Sequence, residues 1–500
     1  MTQKMRDSVV LVVVGAVAIS ISSVALAGPR SYAVAVPATD RMPDLPGREV
    51  FVAPDGKADA AGTKEAPINL AAAFGGAGAV KPGDVVWIRG GTYKIGDLEL
   101  TASGEKDKPI VFRAVPGERA TFEGQILWKA SHAWLWGVEV TGPPHDGITL
   151  RAGDDIKLIN LVLHDNGAET PPEPKKPTGM GLGGWDVGND HEYYGNIIYS
   201  NGINSLDHGI YSQNTAEHTT KKYLDNIIFE NAGCGIHVYG QSPKLANLHL
   251  EGNISFATSQ HPKHPAAGQM NILVGGYNPL TDVTLLNNCT WHPQADSKRG
   301  VDVGYTGKGN SKVRVEGNYF MCGANAMEIK SIAQDVTVKG NTFWAPAGMV
   351  DATLAPEADK ATIAWDRNTF IDNGKFDLKA WQERTGFDKN SKLLPGKDGK
   401  PTGLHVFRRV NQYEPSRVHL AVYNWDHKPA VDIDVADIAQ PGSEYRVVSV
   451  LDYFGEPVAK GKITGKTISL PMAGHRYEPE FGAYVLIVDK PIVATTQKGR

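Results

Sequence analysis

Between about residue 47 and residue 375 the apolar positions come in runs of three to five, each closed by Gly, Asn, Asp or Pro. Runs this short, bounded by turn residues and rich in Val, Ile, Phe and Tyr, predict strands. The one stretch that keeps a helical spacing is Phe376 to Thr385. From His405 onward the pattern changes to longer alternating runs, as in Val418-His-Leu-Ala-Val-Tyr-Asn-Trp, Tyr445-Arg-Val-Val-Ser-Val and Ala483-Tyr-Val-Leu-Ile-Val, which predict the strands of a sandwich with one buried face.

The short runs repeat. An Asn followed by a brief apolar strand occurs at Asn160-Leu-Val-Leu, Asn196-Ile-Ile-Tyr, Asn226-Ile-Ile-Phe, Asn253-Ile-Ser-Phe, Asn288-Cys-Thr-Trp, Asn318-Tyr-Phe, Asn341-Thr-Phe and Asn368-Thr-Phe, at steps of 23 to 36 residues. A motif returning at this period marks a stacked repeat, and three short strands per repeat predict a parallel β-helix. Asn suits a tight corner because it tolerates a left-handed backbone, and its amide can bond to the equivalent Asn one coil away. The expected organisation is a signal peptide over 1–27, a linker over 28–46, a parallel β-helix over 47–375, a capping helix and linker over 376–402, and a β-sandwich over 403–490.

Composition agrees with an all-β chain: 55 Gly and 31 Pro punctuate the 500 residues. A formal charge of -4 gives no basic footprint, so nucleic acid is not an expected partner. Lys4 and Arg6 precede an apolar run from Val9 to about Val24, and Ala25-Leu26-Ala27 offers a small-x-small cleavage site. This predicts a cleaved signal peptide, a secreted or periplasmic protein, and no membrane anchor after cleavage. Cys234, Cys289 and Cys322 are scattered without a CxxC pair, so buried thiols are expected rather than a zinc ribbon or a disulfide framework.

The phrases Phe51-Val-Ala-Pro-Asp-Gly, Lys81-Pro-Gly-Asp-Val-Val-Trp-Ile, Gly91-Thr-Tyr and Lys108-Pro-Ile-Val-Phe-Arg-Ala resemble the N-terminal cap and first coils of pectin-lyase-like proteins. The resemblance covers roughly residues 47 to 375. It implies a right-handed parallel β-helix whose relatives are mostly polysaccharide lyases, glycoside hydrolases and uronate epimerases.

Stacking the strands locates a working face. Gly147-Ile-Thr-Leu-Arg, Gly184-Trp-Asp-Val-Gly, Gly209-Ile-Tyr-Ser-Gln, Gly235-Ile-His-Val-Tyr, Asn271-Ile-Leu-Val-Gly, Gly300-Val-Asp-Val-Gly and Ala326-Met-Glu-Ile-Lys align with their second and fourth positions inward. The third positions then form an outward column of Thr149, Asp186, Tyr211, His237, Leu273, Asp302 and Glu328. A second column holds Arg151, Gly188, Gln213, Tyr239, Gly275, Gly304 and Lys330. Two acids, a Tyr and a His stacked beside glycines point to chemistry on a chain-like substrate, and His208 reads as a structural histidine that can orient Tyr211.

Three chemistries stay open. A lyase acting on a uronate needs a base, an acid and a group for the carboxylate: His237 is a candidate for the base or the neutralising group, Tyr211 for the acid, and Lys330 or Arg299 for a carboxylate clamp. Substrate contacts are expected from Asp186, Trp185, Gln213, Tyr239 and Arg151. Asp186, Asp302 and Glu328 are alternatively candidate ligands for Ca²⁺, a hard ion that takes carboxylates. Met327-Glu-Ile-Lys-Ser before Asn341-Thr-Phe resembles the base-bearing strand of alginate lyases with this fold, in which a Lys follows a calcium-binding Glu, and so implies these roles for Lys330 and Glu328; the Glu-to-Lys spacing is shorter here, the Arg-His-Gly phrase of those lyases is absent, and Val350-Asp-Ala-Thr stands in its place. A hydrolase would pair Asp302 with Glu328. A non-catalytic protein would bind the sugar chain through Trp128, Trp134, Trp136 and Trp185.

Overall fold

The computed structural model describes residues 42–492 apart from 77, 143, 168–178, 265–268, 294–299, 306–307 and 322. The expected signal peptide, most of the linker after it, Arg299 and Cys322 lie outside the described residues.

Strands from Glu49–Val52 to Lys392–Leu394 form one continuous parallel sheet of 31 strands. Through the middle of the chain each strand bonds to the one three further on, so the chain coils and presents three faces. The first face, called the site face below, is built from Ile148–Leu150, Leu182–Gly184, Ile210–Ser212, Ile236–Gly240, Ile272–Gly276, Val301–Val303, the start of Met327–Lys339, and Val350–Leu354. The second runs through Ile156–Ile159, Glu192–Tyr194, Lys221–Leu224, Ala246–Glu251, Thr281–Leu286 and Asn310–Glu316. The third contains Val162–His164, Ile197–Tyr199, Ile227–Phe229, Ile254–Phe256, Cys289–Trp291, Tyr319–Met321 and Thr342–Trp344.

One apolar lumen fills the coil, with Leu135, Leu158, Ile198, Ile210, Ile228, Ile236, Leu250, Ile272, Val301, Met327 and Phe343 all buried. A helix has no neighbouring coil to bond at its ends, so each end must be plugged. Leu70–Gly75, capped by the Asn69 side chain, sets Phe74 edge-on to Phe112 at 5.1 Å at one end. At the other end Leu378–Thr385 buries Trp381 against Trp365, and the Trp381 indole N–H donates to Asp388 at 2.8 Å.

The corner asparagines form a ladder. Asn196, Asn226, Asn253, Asn288, Asn318 and Asn341 each donate Nδ2–H to the Oδ1 of the next, at 2.8–3.0 Å, ending on Asn368 and then Asp388. The left-handed corner itself belongs to the residue before each ladder Asn: Gly195, Asp225, Gly252, Asn287, Gly317, Gly340 and Arg367. Asn160 is therefore a corner residue and not a rung, and its Oδ1 accepts from Asn411 of the C-terminal domain.

That domain has a five-stranded antiparallel sheet facing a two-stranded one, which makes the β-sandwich. The strand Arg417–Asn424 is buried throughout because it serves two cores. Val418, Leu420 and Val422 face Ile433 and Leu470 inside the sandwich, whereas Ala421 and Tyr423 pack on Phe256, Trp291 and Tyr319 of the third face. The sandwich thus covers the third face and leaves the site face open.

Candidate functional site

The observed register bears directly on the expected column. Tyr211 is opposite His237, His237 opposite Leu273, Leu273 opposite Asp302, and Asp302 opposite Glu328, continuing to Asp351. Successive rungs lie about 4.8 Å apart. Upstream the expected register is corrected by three residues: Gly183, not Asp186, pairs with Tyr211 and with Thr149. Leu182 and Gly184 are the inward residues, and the space left by Gly184 is approached by the buried Tyr193 phenol of the second face. A Gly-Gly rung therefore hides its inward pattern in the sequence, and Trp185-Asp-Val mimics it.

The correction moves Trp185 into the second column, two positions after Gly183 as Gln213 is two after Tyr211. The Arg151 guanidinium lies 5.5 Å from the Trp185 ring centroid, and Trp185 is 5.8 Å from the Tyr211 ring. Asp186 instead turns toward His218, 3.6 Å away. It also faces a residue that the sequence did not single out. Lys221 is buried, its ammonium donates to the Gln213 carbonyl at 2.7 Å, and burial lowers its pKa to about 7.

Tyr211 and His237 are held by a directed network. The Cys234 backbone N–H donates to His208 Nδ1 at 2.9 Å, which leaves the His208 proton on Nε2. His208 Nε2–H therefore donates to His237 Nδ1, 2.7 Å away, and neutral His237 must carry its proton on Nε2. Burial depresses His208 well below the usual imidazole range and takes His237 down to about 3, so both rings stay neutral at ordinary pH. His208 thus orients His237, while its ring lies 6.1 Å from Tyr211. The Tyr211 hydroxyl accepts from Gln213 Nε2 at 2.9 Å and donates to the Tyr239 carbonyl at 3.3 Å. Burial raises its pKa, and the Gln213 contact opposes that rise.

Lys330, Asp302 and Glu328 also meet, farther along the strip. Lys330 Nζ lies 3.7 Å from Asp302 and 3.4 Å from Glu328. Asp302 is 1% exposed and Glu328 is partly covered. The place between the carboxylates that Ca²⁺ would take is occupied by an ammonium of the chain itself, so this donor set does not fit the ion. His208, Cys234 and His237 place one ligand atom each within 4.8 Å of one another, the one such His/Cys/Asp/Glu group among the described residues. Most of their atoms are already engaged: both His208 nitrogens and His237 Nδ1 are hydrogen-bonded, and the Cys234 thiol, pushed up to about 12 by burial, donates to Gln269, which leaves His237 Nε2–H facing outward. Cys234 and Cys289 are free and buried.

The tryptophans expected for a binding surface divide. Trp128 and Trp136 are fully buried and Trp134 nearly so, with Trp136 donating to Glu414 of the sandwich. Trp185 alone of the four is exposed, at 39%. Two aromatics that the sequence reading passed over join it on this face: Tyr277 and Tyr305, 44% and 41% exposed. Each follows a glycine at a strand end, where the alternation that guided the reading stops.

Comparison with known proteins bears on the first coils of this fold. Residues 50–208 match the family described as the Pel9A-like, right-handed β-helix region, a match that ends just before Tyr211. Over 88 residues the chain is 37% identical to pectate lyase PEL9 of Emericella nidulans (strain FGSC A4 / ATCC 38163 / CBS 112.46 / NRRL 194 / M139); that stretch is 17% of this chain and spans about a fifth, 21%, of the relative's length. Among solved structures, pectate lyase Pel9A is 15% identical with a TM-score of 0.39, covering 71% of this chain and 79% of its own. A rhamnogalacturonan lyase is 14% identical with a TM-score of 0.38, covering 64% of this chain and 87% of its own. Residues 50–208 thus correspond to a Pel9A-like right-handed β-helix region, and the chain has a polysaccharide-lyase-like fold.

Proposed function

We propose that this chain is a secreted or periplasmic enzyme that cleaves a uronic-acid-containing polysaccharide by β-elimination, with Tyr211 and His237 at the reacting sugar. The observation that carries the reading is the fixed hydrogen-bond chain from the Cys234 amide through His208 to His237. It leaves His237 Nε2–H as a donor turned away from His208, suited to the carboxylate whose charge must be met when C5 loses its proton. It also takes away the base role expected of His237, because the Nδ1 lone pair is engaged and a tautomer change would set His208 Nδ1–H against the Cys234 N–H.

Tyr211 then serves both proton transfers from one face of the ring. As phenolate it takes the C5 proton; the C–H electrons form the C4–C5 double bond, the C4–O bond breaks, and the phenol proton passes to the leaving oxygen. Gln213 donates to the phenolate oxygen and steadies its charge. Lys330, tied to two carboxylates three rungs from His237, helps hold the strip and the chain beyond the reacting sugar.

The test is ultraviolet absorbance of the unsaturated product on a panel of uronate polymers. Wild type should show rising absorbance, and Tyr211→Phe should lose at least about 100-fold in rate while still binding polymer. Reducing ends appearing without absorbance would overturn elimination. A second reading, sugar binding without cleavage, is favoured by the exposed Trp185, Tyr277 and Tyr305, and retained binding with no product from wild type would establish it.

A further inference from the structure

We propose that two aromatic patches on either side of the Tyr211–His237 pair seat an extended sugar chain parallel to the coil axis, Trp185 with Arg151 on one side and Tyr239, Tyr277 and Tyr305 on the other. The sugars on the tyrosine side are neutral. The placement of the reacting sugar rests on the elimination reading above; the patches themselves do not.

Trp185, Tyr277 and Tyr305 are all the large aromatics found exposed among the described residues, and all three stand at the ends of site-face strands. Exposed aromatics gathered on one face of a soluble fold mark a binding surface. In strand order, Trp185 follows Leu182–Gly184, Tyr239 ends the His237 strand, and Tyr277 and Tyr305 follow the next two. Four rung steps of about 4.8 Å make this a strip of roughly 19 Å, long enough for several pyranose rings end to end and only one ring wide. The Tyr211–His237 pair falls inside it, so the bond cleaved is an internal one.

The tyrosines form a fixed platform. Tyr239 and Tyr277 are 6.1 Å apart, Tyr239 and Tyr305 5.5 Å, and Tyr277 and Tyr305 5.7 Å, all edge to face. Each ring is braced by its neighbours' edges, an arrangement that leaves a face free and costs little order on binding. Gly275 and Gly304 floor the strip beside them. A Cβ on Gly275 would come within 2.7 Å of the Gly304 carbonyl carbon, and Gly304 has φ +82°, so the floor has no room for a side chain.

Charge decides the kind of sugar. On the strand of Tyr305 and the two after it the strip holds three acids, Asp302, Glu328 and Asp351, against two cations, Lys330 beside the first two and 6.0 Å from the Tyr305 ring centroid, and Arg384 3.4 Å from Asp351, so one acid stands in excess. A carboxylate on every sugar would meet these acids. The apolar C–H face of a neutral ring stacks on the phenols without that repulsion. On the other side Arg151 over Trp185 supplies a cation beside a stacking face, which suits a carboxylate-bearing residue.

The experiment uses the full chain and two probes whose C5 hydrogen and C4 oxygen share one face of the ring, as Tyr211 requires: polyglucuronate, and a polymer in which glucuronate alternates with a neutral sugar. Binding is measured on Tyr211→Phe by titration calorimetry at low and high salt, and kinetics on the parent chain, each with and without Tyr277→Ala and Tyr305→Ala together. The expected result is tighter binding of the alternating polymer with little salt dependence, at least about 10-fold weaker binding and higher KM in the double variant, and kcat changed by less than about threefold. Tyr277→Phe with Tyr305→Phe should restore binding, since the ring face is what stacks. Both tyrosines are exposed, so an unchanged melting temperature checks that folding is intact. Equal affinity and KM in the double variant would overturn the proposal, as would tighter, strongly salt-dependent binding of polyglucuronate. Tyrosine-dependent binding with no unsaturated product from the parent chain would keep the platform and sink the elimination reading.

Discussion

Burial moves the two buried or half-buried groups Tyr211 and Lys221 in ways that pH can read. Tyr211 titrates above its ordinary 10.0, chiefly through desolvation. If the phenolate takes the C5 proton, the active fraction is small at neutral pH and grows as pH rises toward that raised pKa. The rate should therefore climb roughly tenfold per pH unit below it and flatten only in the strongly alkaline range, with no alkaline fall of the kind an acid-only role would give. A kcat/KM profile from pH 6 to 10.5 checks this, and a flat profile would remove the base role. Lys221 runs the other way, from 10.5 down to about 7 through desolvation, with Asp186 opposing. Between these values the unfolded chain holds a proton that the folded chain does not, so the lysine's contribution to stability improves as pH rises from about 7 to 10.5; below 7 the folded state carries a buried charge. Lys221→Met should raise the melting temperature at pH 6 and lose that advantage by about pH 10, where the hydrogen bond to Gln213 is the remaining difference, worth roughly 1 kcal/mol. A variant less stable than wild type at every pH would contradict the assignment.

At the scale of the elements, the Asn ladder shows what a repeat makes legible and what it blurs. The recurring Asn gave away the coil because each amide needs the same partner one turn on, and from Asn196 to Asn368 that partner is present. The left-handed corner was assigned one residue too late, because Gly, Asp, Asn and Arg all occupy it and no single letter repeats there. The outward column was readable from Tyr211 to Glu328, where inward Ile, Val and Met alternate cleanly, and it slipped by three at Leu182-Gly-Gly, where Tyr193 from another face supplies the bulk. His208 looked structural in sequence. Its influence on the His237 tautomer depends on the Cys234 amide, a backbone group that no sequence pattern displays. The ladder also yields a number. Asn253 donates to the Tyr223 carbonyl and to Asn288, and accepts from the Asn226 backbone and side chain. Asn253→Ala strands several buried groups at once, each at about 1–3 kcal/mol, so thermal unfolding should show a loss of at least about 2 kcal/mol; a change under about 0.5 kcal/mol, the size of an ordinary surface substitution, would mean the coil closes without the amide.

The whole molecule is joined by a seam as elaborate as either core. The third face sends Phe229, Phe256, Trp291 and Tyr319 against Tyr423, Phe481 and Val485 of the sandwich, with Trp291 and Phe481 stacked at 4.9 Å. Polar groups along the seam are also matched across it. Arg409 meets Asp225 at 2.6 Å, the Tyr477 and Tyr413 hydroxyls donate to Glu230 and Glu192, and Tyr423 donates to the Thr290 carbonyl. Asp225 is also a corner residue of the coil, so the sandwich grips the repeat at one of its turns. Parting the two units would expose stacked aromatics and leave buried carboxylates without partners, which costs far more than loosening a polar contact between independent domains. Calorimetry should therefore show one unfolding transition, in which the sandwich does not melt ahead of the coil. Tyr423→Ala should lower that single transition by several degrees and leave the rate on polymer within about twofold, since the site face lies on another side of the coil. Two resolved transitions in the parent chain would show that the seam is weaker than its contacts imply, and a large loss of activity in Tyr423→Ala would show that the sandwich reaches the site through the coil.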